Sequence, residues 1–229
     1  MGSDPVMEKE TAVQMSERFR VGALLAMAGG LLDAYTYVMR GGVFANAQTG
    51  NIVLLGVRAI EGEWGGVLHY LLPILAFAVG VIAAELIKGK FRYAQPVHWR
   101  QISLGIELAV LLCVAFLPQA LDALANVAVS FVCAVQVESF RKVHGNAFAT
   151  TMCTGNLRSG TEQLYQFLRT GQRDHLRRAV QYGGIILSFI VGAALGAWCS
   201  GLLGLRTVAV ACIPLFIALC LMRANKTAL

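Results

Sequence analysis

Charged side chains are scarce in this sequence. Lysine, arginine, aspartate and glutamate together make up 14% of its 229 residues, whereas hydrophobic residues make up 57%. About a quarter of the residues in a soluble domain are charged, so this composition excludes an ordinary soluble protein and predicts an integral membrane protein. The net charge of +6 does not indicate nucleic-acid binding, because the basic residues cluster in short connections that flank apolar segments.

Motifs for catalysis and metal binding are also missing from the sequence. It contains no HExxH, no Gly-x-Ser-x-Gly, no paired-aspartate motif and no CxxC, and its four histidines form no ligand pattern. We therefore predict neither an enzyme nor a metal or cofactor site. All six cysteines fall in apolar stretches, which predicts reduced packing residues. Cys153 is the exception to follow, because it directly precedes the polar residue Thr154.

The start of the chain is polar and shows no cleavable signal peptide. We expect residues 1–20 to form a polar tail, of which 1–6 have the character of a cloning remnant. Residues 21–117 form a first membrane repeat and 122–222 a second, inverted one. Residues 223–229 form the C-terminal tail.

The sequence does contain an internal repeat. The tripeptide Thr49-Gly50-Asn51 recurs 105 residues later as Thr154-Gly155-Asn156, and at the same spacing Asp33 matches Glu138. Both copies lie in otherwise apolar stretches. Because polar groups are costly in a bilayer, a pair repeated in register indicates a functional site near the membrane midplane.

Eight apolar segments can be drawn, and the second and sixth carry the Thr-Gly-Asn copies. The segments run roughly over residues 21–39, 43–58, 67–87, 101–117, 122–140, 147–165, 180–201 and 206–222. If the second and sixth are re-entrant, six spans with cytoplasmic termini place 15 lysines and arginines inside and three outside (Arg40, Arg58 and Arg206), with the intramembrane Arg158 uncounted. If both cross, the ratio is 10 to eight, so the positive-inside rule favours six spans. A seven-span arrangement with an outside N-terminus gives 13 to five and stays open.

The fold class predicted from these segments is an all-α integral membrane protein. It is a polytopic helical bundle of six full spans plus two re-entrant half-helices, arranged as an inverted 3+3 repeat. The match of Phe77-Ala78-Val79-Gly80 with Phe189-Ile190-Val191-Gly192, after a seven-residue insertion, supports the repeat. Small residues at four-residue steps predict close helix packing, or the seam of a homodimer. These residues are Gly22, Ala26 and Gly30; Gly80 and Ala84; and Gly192, Gly196 and Ser200.

One block of the first half resembles a known family. Gly29-Gly30-Leu31-Leu32-Asp33, followed by Gly41-Gly42-Val43-Phe44-Ala45-Asn46-Ala47-Gln48-Thr49-Gly50-Asn51, is similar to the YoaK family of UPF0700-type bacterial membrane proteins, filed under a domain of unknown function. The resemblance covers roughly residues 20–222, and the second Thr-Gly-Asn fits the pattern more loosely. It implies six spans in the bacterial cytoplasmic (inner) membrane and names no substrate, so the function must be argued from the site.

The two Thr-Gly-Asn copies are expected to be turns that line a wet cavity, because irregular backbone in a bilayer survives only there or buried in protein. In each turn the glycine permits a tight bend or a close helix approach, and the threonine or asparagine caps a following half-helix. These half-helices are predicted over residues 52–60 and 157–168, with N-termini that attract anions or polar solutes. The residues expected to bind the solute are Asn46, Thr49, Gly50, Asn51, Thr154, Gly155, Asn156 and Arg158.

Three interpretations remain open for Asp33 and Glu138. Each carboxylate can hold the re-entrant loop by accepting hydrogen bonds, can carry a coupling proton during transport, or can bind a cationic substrate or sodium. Arg158 lies near a predicted helix N-terminus, where a cation is unfavourable. It is expected to pair with Glu138 or Glu162, to bind an anionic substrate, or to be solvated at the inner face.

The function expected from this pattern is transport of a small polar or anionic solute, with proton coupling as one mechanism. Two alternatives stay open: a channel or facilitator with re-entrant half-helices, and a structural or regulatory membrane protein without transport. The expected partners are the lipid bilayer, the solute and a second copy of the chain.

Overall fold

The structure is a computed structural model of the chain, and it describes residues 19–91, 98–140 and 153–224. Within these residues the chain forms eight α-helices and no β-strand. The helices are α1 (Phe19–Met39), α2 (Gln48–Ile60), α3 (Trp64–Phe91), α4 (Trp99–Val114), α5 (Asp122–Ser139), α6 (Cys153–Thr170), α7 (Arg173–Leu203) and α8 (Val208–Ala224). The predicted N-terminal tail up to residue 18, the start of the sixth apolar segment at 147–152 and the tail from 225 lie outside the described residues.

The all-α prediction is confirmed, because each of the eight apolar segments corresponds to one helix. α7 differs most from its segment: it begins at Arg173, seven residues before the apolar stretch that starts at 180. The added residues include Leu176, Arg177 and Arg178, and leucine and arginine are good helix formers. The helix therefore continues beyond the apolar region.

Within the described ranges, four helical segments are long and apolar enough to cross a membrane by length and composition. They are Phe19–Met39, Trp64–Phe91, Gln119–Ser139 and Arg173–Met222. The last contains both α7 and α8, which are separated at Gly204, where the backbone takes a φ of 57°. A row of exposed apolar residues along α3 fits contact with lipid: Leu68, Leu72, Leu75, Val79, Ile82 and Leu86. The chain is an all-helical membrane protein.

The helices pack in corresponding pairs. α1 packs chiefly against α7 and α8, and α5 packs chiefly against α3 and α4. α2 lies along α3, α6 lies along α7, and α4 meets α8. The main hydrophobic core is formed by α1, α4, α5 and α8.

Two of these contacts depend on glycine. A methyl group at Gly192 on α7 would overlap the carbonyl oxygen of Met27 on α1, and one at Gly80 on α3 would overlap the carbonyl oxygen of Phe131 on α5. The small-residue faces predicted from the sequence are buried in the same way. They serve packing within the bundle, where backbone-to-backbone approach gives van der Waals contact that lipid does not oppose.

Candidate functional site

The loop between α1 and α2 is held by two buried polar side chains. Asp33, on α1, accepts a hydrogen bond through Oδ1 from the backbone N–H of Asn46 at 2.7 Å. The side-chain amide of Asn46 donates in turn to the carbonyl oxygen of Gly29 at 3.2 Å. Backbone groups of an irregular segment in a bilayer need partners inside the protein. These contacts support the loop-holding interpretation of Asp33.

Asn51 closes the same loop from the other side. Its Oδ1 accepts from the backbone N–H of Phe44 at 3.0 Å, and its Nδ2 donates to the carbonyl oxygen of Phe44 at 2.7 Å. Nδ2 also donates to Oε1 of Gln48 at 2.9 Å. The Asn51 side chain is completely buried. A solute would reach its amide only by displacing these hydrogen bonds.

Thr49, Gly50 and Asn51 form the first turn of α2 rather than a turn that precedes it. The helix begins at Gln48, and its N-cap residue is Ala47, which makes no side-chain capping bond. The predicted cap by Thr49 or Asn51 and the predicted start at residue 52 are therefore wrong. The reason is that the first amides find loop carbonyls instead: Gly50 N–H donates to the carbonyl of Ala47 at 2.9 Å.

Gly50 allows the ring of Phe44 to approach the α2 backbone closely. A Cβ atom at this position would lie 2.7 Å from Cδ2 of Phe44, so only glycine leaves room for the ring. The Phe44 ring stacks on that of Tyr37 with centroids 4.9 Å apart. Gly155, its counterpart in the second half, has no described neighbour within 4 Å of where a Cβ would lie.

α6 repeats the arrangement of α2. It begins at Cys153, four residues before the predicted start at 157, so its first turn contains Thr154, Gly155 and Asn156. Asn156 is buried at the fourth position of α6, as Asn51 is at the fourth position of α2. Arg158 is exposed, and none of the ion pairs in the described part of the chain involves it.

Both halves of the chain line one cavity of about 1020 Å³. Its walls come from α1 and the following loop, the starts of α2 and α6, the middle of α3 and α7, and the end of α5. The lining residues are Asp33, Ala34, Tyr37, Val38, Phe44, Asn46, Ala47, Gln48, Thr49, Phe77, Val81, Val137, Glu138, Cys153, Thr154, Gly155, Phe189, Ala193 and Ala197.

Six of the predicted site residues lie in this lining, and four do not. Those that line the cavity are Asp33, Asn46, Thr49, Glu138, Thr154 and Gly155. Those outside it are Gly50, Asn51, Asn156 and Arg158. The two buried asparagines and Gly50 lie directly behind the wall, because they belong to the same helix turns as the threonines that form it.

Ten of the 19 lining residues fall into five pairs that match between the two halves. Pairs at the 105-residue spacing are Asp33 with Glu138, Gln48 with Cys153, and Thr49 with Thr154. Pairs at the 112-residue spacing of the Phe-x-Val-Gly blocks are Phe77 with Phe189 and Val81 with Ala193. The cavity therefore lies where corresponding parts of the two halves meet.

The cavity can hydrogen-bond a solute and shield it with aromatic rings. The lining includes two carboxyl groups, the hydroxyl groups of Thr49 and Thr154, the amide of Gln48 and four aromatic side chains. Among the residues the structure describes, no lysine, arginine or histidine lines it. No group of three or more histidine, cysteine, aspartate or glutamate residues suited to a metal ion occurs in the described ranges.

Sequence reasoning missed the buried Arg40. Charge counting assigns it to the outside as an orientation signal, whereas its side chain is fully buried. Its Nε donates to the hydroxyl of Tyr35 at 2.7 Å, and its Nη1 pairs with Oδ1 of Asp122 at 2.7 Å. The guanidinium also donates to the carbonyl oxygens of Val114, Leu117 and Pro118. No sequence signal separates this arginine from a solvated one at a helix end.

Comparison with known proteins gives a family and one similar curated protein. The family described as protein of unknown function (DUF1275) matches residues 21–221. The chain is 28% identical to the UPF0700 transmembrane protein YoaK of Bacillus subtilis (strain 168) over 184 residues, which cover 76% of this chain and 80% of that protein. No solved structure matches the chain.

Proposed function

We propose that this chain, which belongs to the DUF1275 family, is a membrane transporter of a small polar solute. The observation that carries the proposal is the cavity of about 1020 Å³ lined by matched residues of both halves. A chance gap in the packing would not be expected to contain a carboxyl group and a threonine from each half, with both pairs 105 residues apart in the sequence. Transporters built from repeats bind their substrates at such a junction, near the bilayer midplane.

The topology that we propose has six membrane spans, and α2 and α6 are re-entrant helices. α2 has 13 residues, about 20 Å of helix, whereas the hydrocarbon core is about 30 Å thick. α6 is longer, but its second half is polar, with Glu162, Gln163, Gln166 and Arg169. Neither helix is among the segments long and apolar enough to cross.

The inverted repeat is supported by the packing. Exchanging α1–α4 with α5–α8 converts the α1–α7 contact into the α5–α3 contact, and the α1–α8 contact into the α5–α4 contact. The glycines of the matched Phe-x-Val-Gly blocks, Gly80 and Gly192, each pack on a backbone carbonyl of the opposite half. Three spans per half invert the second half in the membrane.

The cytoplasmic side of the proposed arrangement is the side rich in arginine and lysine. Lys88 and Lys90 end α3, Arg100 begins α4, and Arg173 and Arg177 begin α7. The positive-inside rule then assigns both termini to the cytoplasm of a bacterial cell, with the bundle in the cytoplasmic membrane.

The lining limits the charge of the solute. An anion in the cavity would meet the carboxyl groups of Asp33 and Glu138, and no described basic residue lines the walls to offset them. The N-termini of α2 and α6 supply partial positive charge at the same place. An anionic solute therefore fits best when a carboxyl group of the lining carries a proton and is neutral. A neutral polar solute can bind without protonation of either carboxyl group.

The proposal is tested by measuring the flux of solutes into liposomes that contain the purified protein. Osmotic swelling is measured by light scattering with glycerol, acetate or tetramethylammonium as the probe. We expect at least one probe to enter faster than in protein-free liposomes, and Ala193→Phe to reduce that flux to the protein-free rate by filling the cavity. Ala194→Phe, one position along α7 on an exposed face, is the matched control and should keep the flux.

Two results would contradict transport through this cavity: no probe entering above the protein-free rate, or equal flux in Ala193→Phe and the wild type. The dependence of flux on probe concentration separates a transporter from the channel alternative. Saturation indicates a transporter, and a linear rise indicates a channel or facilitator.

A further inference from the structure

A glutamate is buried in the interior of the bundle, away from the cavity. Glu107, on α4, is 1% exposed. It shares a helix face with Leu104 and Leu111, three residues before it and four after, and both are fully buried. Neither oxygen of its carboxyl group has a hydrogen-bond partner among the described residues. Glu107 is not part of the cavity lining.

None of the residues that the structure describes places a positive charge beside Glu107. Gln136, on α5, is the polar side chain that faces it, and the Nε2 of this amide also lacks a hydrogen-bond partner. The titratable groups close enough to interact with a charge on Glu107 are the thiols of Cys133, on α5, and Cys212, on α8. None of the ion pairs in the described ranges includes Glu107.

On α3, the third helix that packs against α4, the described lysines are Lys88 and Lys90 in the last turn, and neither interacts with Glu107. Lys88 forms an ion pair with Glu85 at 2.7 Å, and both side chains are partly exposed. An isolated carboxylate in an apolar interior is so costly that such a group gives up its charge instead. A neutral acid keeps the same shape and needs only one acceptor for its proton.

We propose that Glu107 is a proton-binding site, whose carboxyl group carries a proton in this conformation and pairs with the side-chain amide of Gln136, accepting from Nε2 through its carbonyl oxygen and offering its proton to Oε1. Both groups are buried, both have unused hydrogen-bonding capacity, and they face each other across the α4–α5 contact. The ligand of this site is a proton rather than a metal ion, because one carboxyl group and one amide are too few oxygen ligands for a cation.

The buried thiol of Cys133, on α5, lies within electrostatic reach of both Glu107 and Asp33, so the two acids are separated by little more than one side chain's surroundings. Asp33 holds the α1–α2 loop through Asn46, so a change in its charge would disturb that loop. A change in the charge of Glu107 acts on its contact with Gln136 and leaves the hydrogen bonds of the α1–α2 loop in place. Glu107 is therefore the acid best suited to coupling proton binding to transport. This coupling rests on the proposed function, whereas the protonation of Glu107 does not.

Infrared spectroscopy of the full-length protein in lipid tests the protonation directly. Exposed aspartates and glutamates are ionised at neutral pH, so the carbonyl stretch of a protonated carboxyl group reports a buried acid. We expect this band in the wild type at neutral pH, and its loss in Glu107→Gln, which preserves the shape of the neutral acid. Glu85→Gln removes an exposed glutamate and should leave the band unchanged.

Three results would overturn the proposal: a wild type without the band, a band that survives in Glu107→Gln, or a band lost in Asp33→Asn instead. If Glu107→Gln does not fold, the Glu138→Gln protein labelled with ¹³C-glutamate decides the question. The band must then shift with the label, and an unshifted band assigns the proton to another residue type. Because no transport is measured, failure here is distinct from failure of the proposed function.

Discussion

Asn51 illustrates how one side chain holds a loop in an apolar environment. Its amide pairs with both backbone groups of Phe44 and with Gln48. Asn51→Ala leaves these buried groups without partners, so we expect the free energy of unfolding to fall by about 1–3 kcal/mol. Thr49→Ala, two residues earlier at an exposed position, should change it by less than about 0.5 kcal/mol. Thermal unfolding in detergent measures both, and equal melting temperatures would show that Asn51 does not hold the loop.

Arg40 shows, also at the residue scale, where charge counting reaches its limit. The side chain joins the end of α1 to the last carbonyl of α4, to two carbonyls of the connection after it and to Asp122 at the start of α5. An arginine at a helix end has the same sequence signature whether it is solvated or buried. The prediction that Arg40 is an orientation charge therefore described its position along the chain correctly but could not describe its environment.

Helix contact in this protein depends on the missing side chain of glycine. Gly192 lies against the carbonyl of Met27, whereas Gly201, nine residues later on α7, has no neighbour within 4 Å of where a Cβ would lie. We expect Gly192→Ala to force α1 and α7 apart and to lower the free energy of unfolding by about 1–3 kcal/mol. Gly201→Ala should be neutral or stabilising by up to about 1 kcal/mol, since alanine is the better helix former.

Thermal unfolding of these two glycine variants in the same detergent gives the comparison. A Gly192→Ala protein as stable as Gly201→Ala would mean that the α1–α7 contact yields without cost. Gly80→Ala tests the corresponding contact of α3 with α5, where the carbonyl of Phe131 takes the place of Met27. We expect it to resemble Gly192→Ala, because both glycines pack on backbone.

The sequence predicted the helices well and their starts poorly, for a physical reason. Apolar periodicity marks where a helix is buried, so each of the eight predicted segments corresponds to a helix. Helix starts depend on which groups satisfy the first amides, and in α2 these are the loop carbonyls rather than Thr49 or Asn51. The 105-residue repeat identified the residues around the cavity. It could not tell those that face the cavity, such as Thr49, from those behind its wall, such as Asn51.

At the scale of the whole molecule, the repeat and the charge distribution lead to the same orientation. Six spans put the α2–α3 connection and the α4–α5 connection outside and the α6–α7 connection inside. If α2 and α6 both crossed, the first two connections would be inside. The seven-span alternative keeps all three connections as in six spans and differs in an outside N-terminus. Accessibility of single positions in whole cells therefore decides among the three.

Cysteines introduced at exposed positions, Glu61→Cys, Gln119→Cys and Gln172→Cys, can be labelled with a maleimide that does not cross membranes. For six spans we expect label on the first two in intact cells and on the third only after permeabilisation. The unsubstituted chain measures the background from its own six cysteines. Protection of Glu61→Cys and Gln119→Cys would mean that both helices cross. An N-terminal tag cleaved by external protease would select seven spans. α1 and α5 would then enter the membrane from the same side, whereas an inverted repeat requires that they enter from opposite sides.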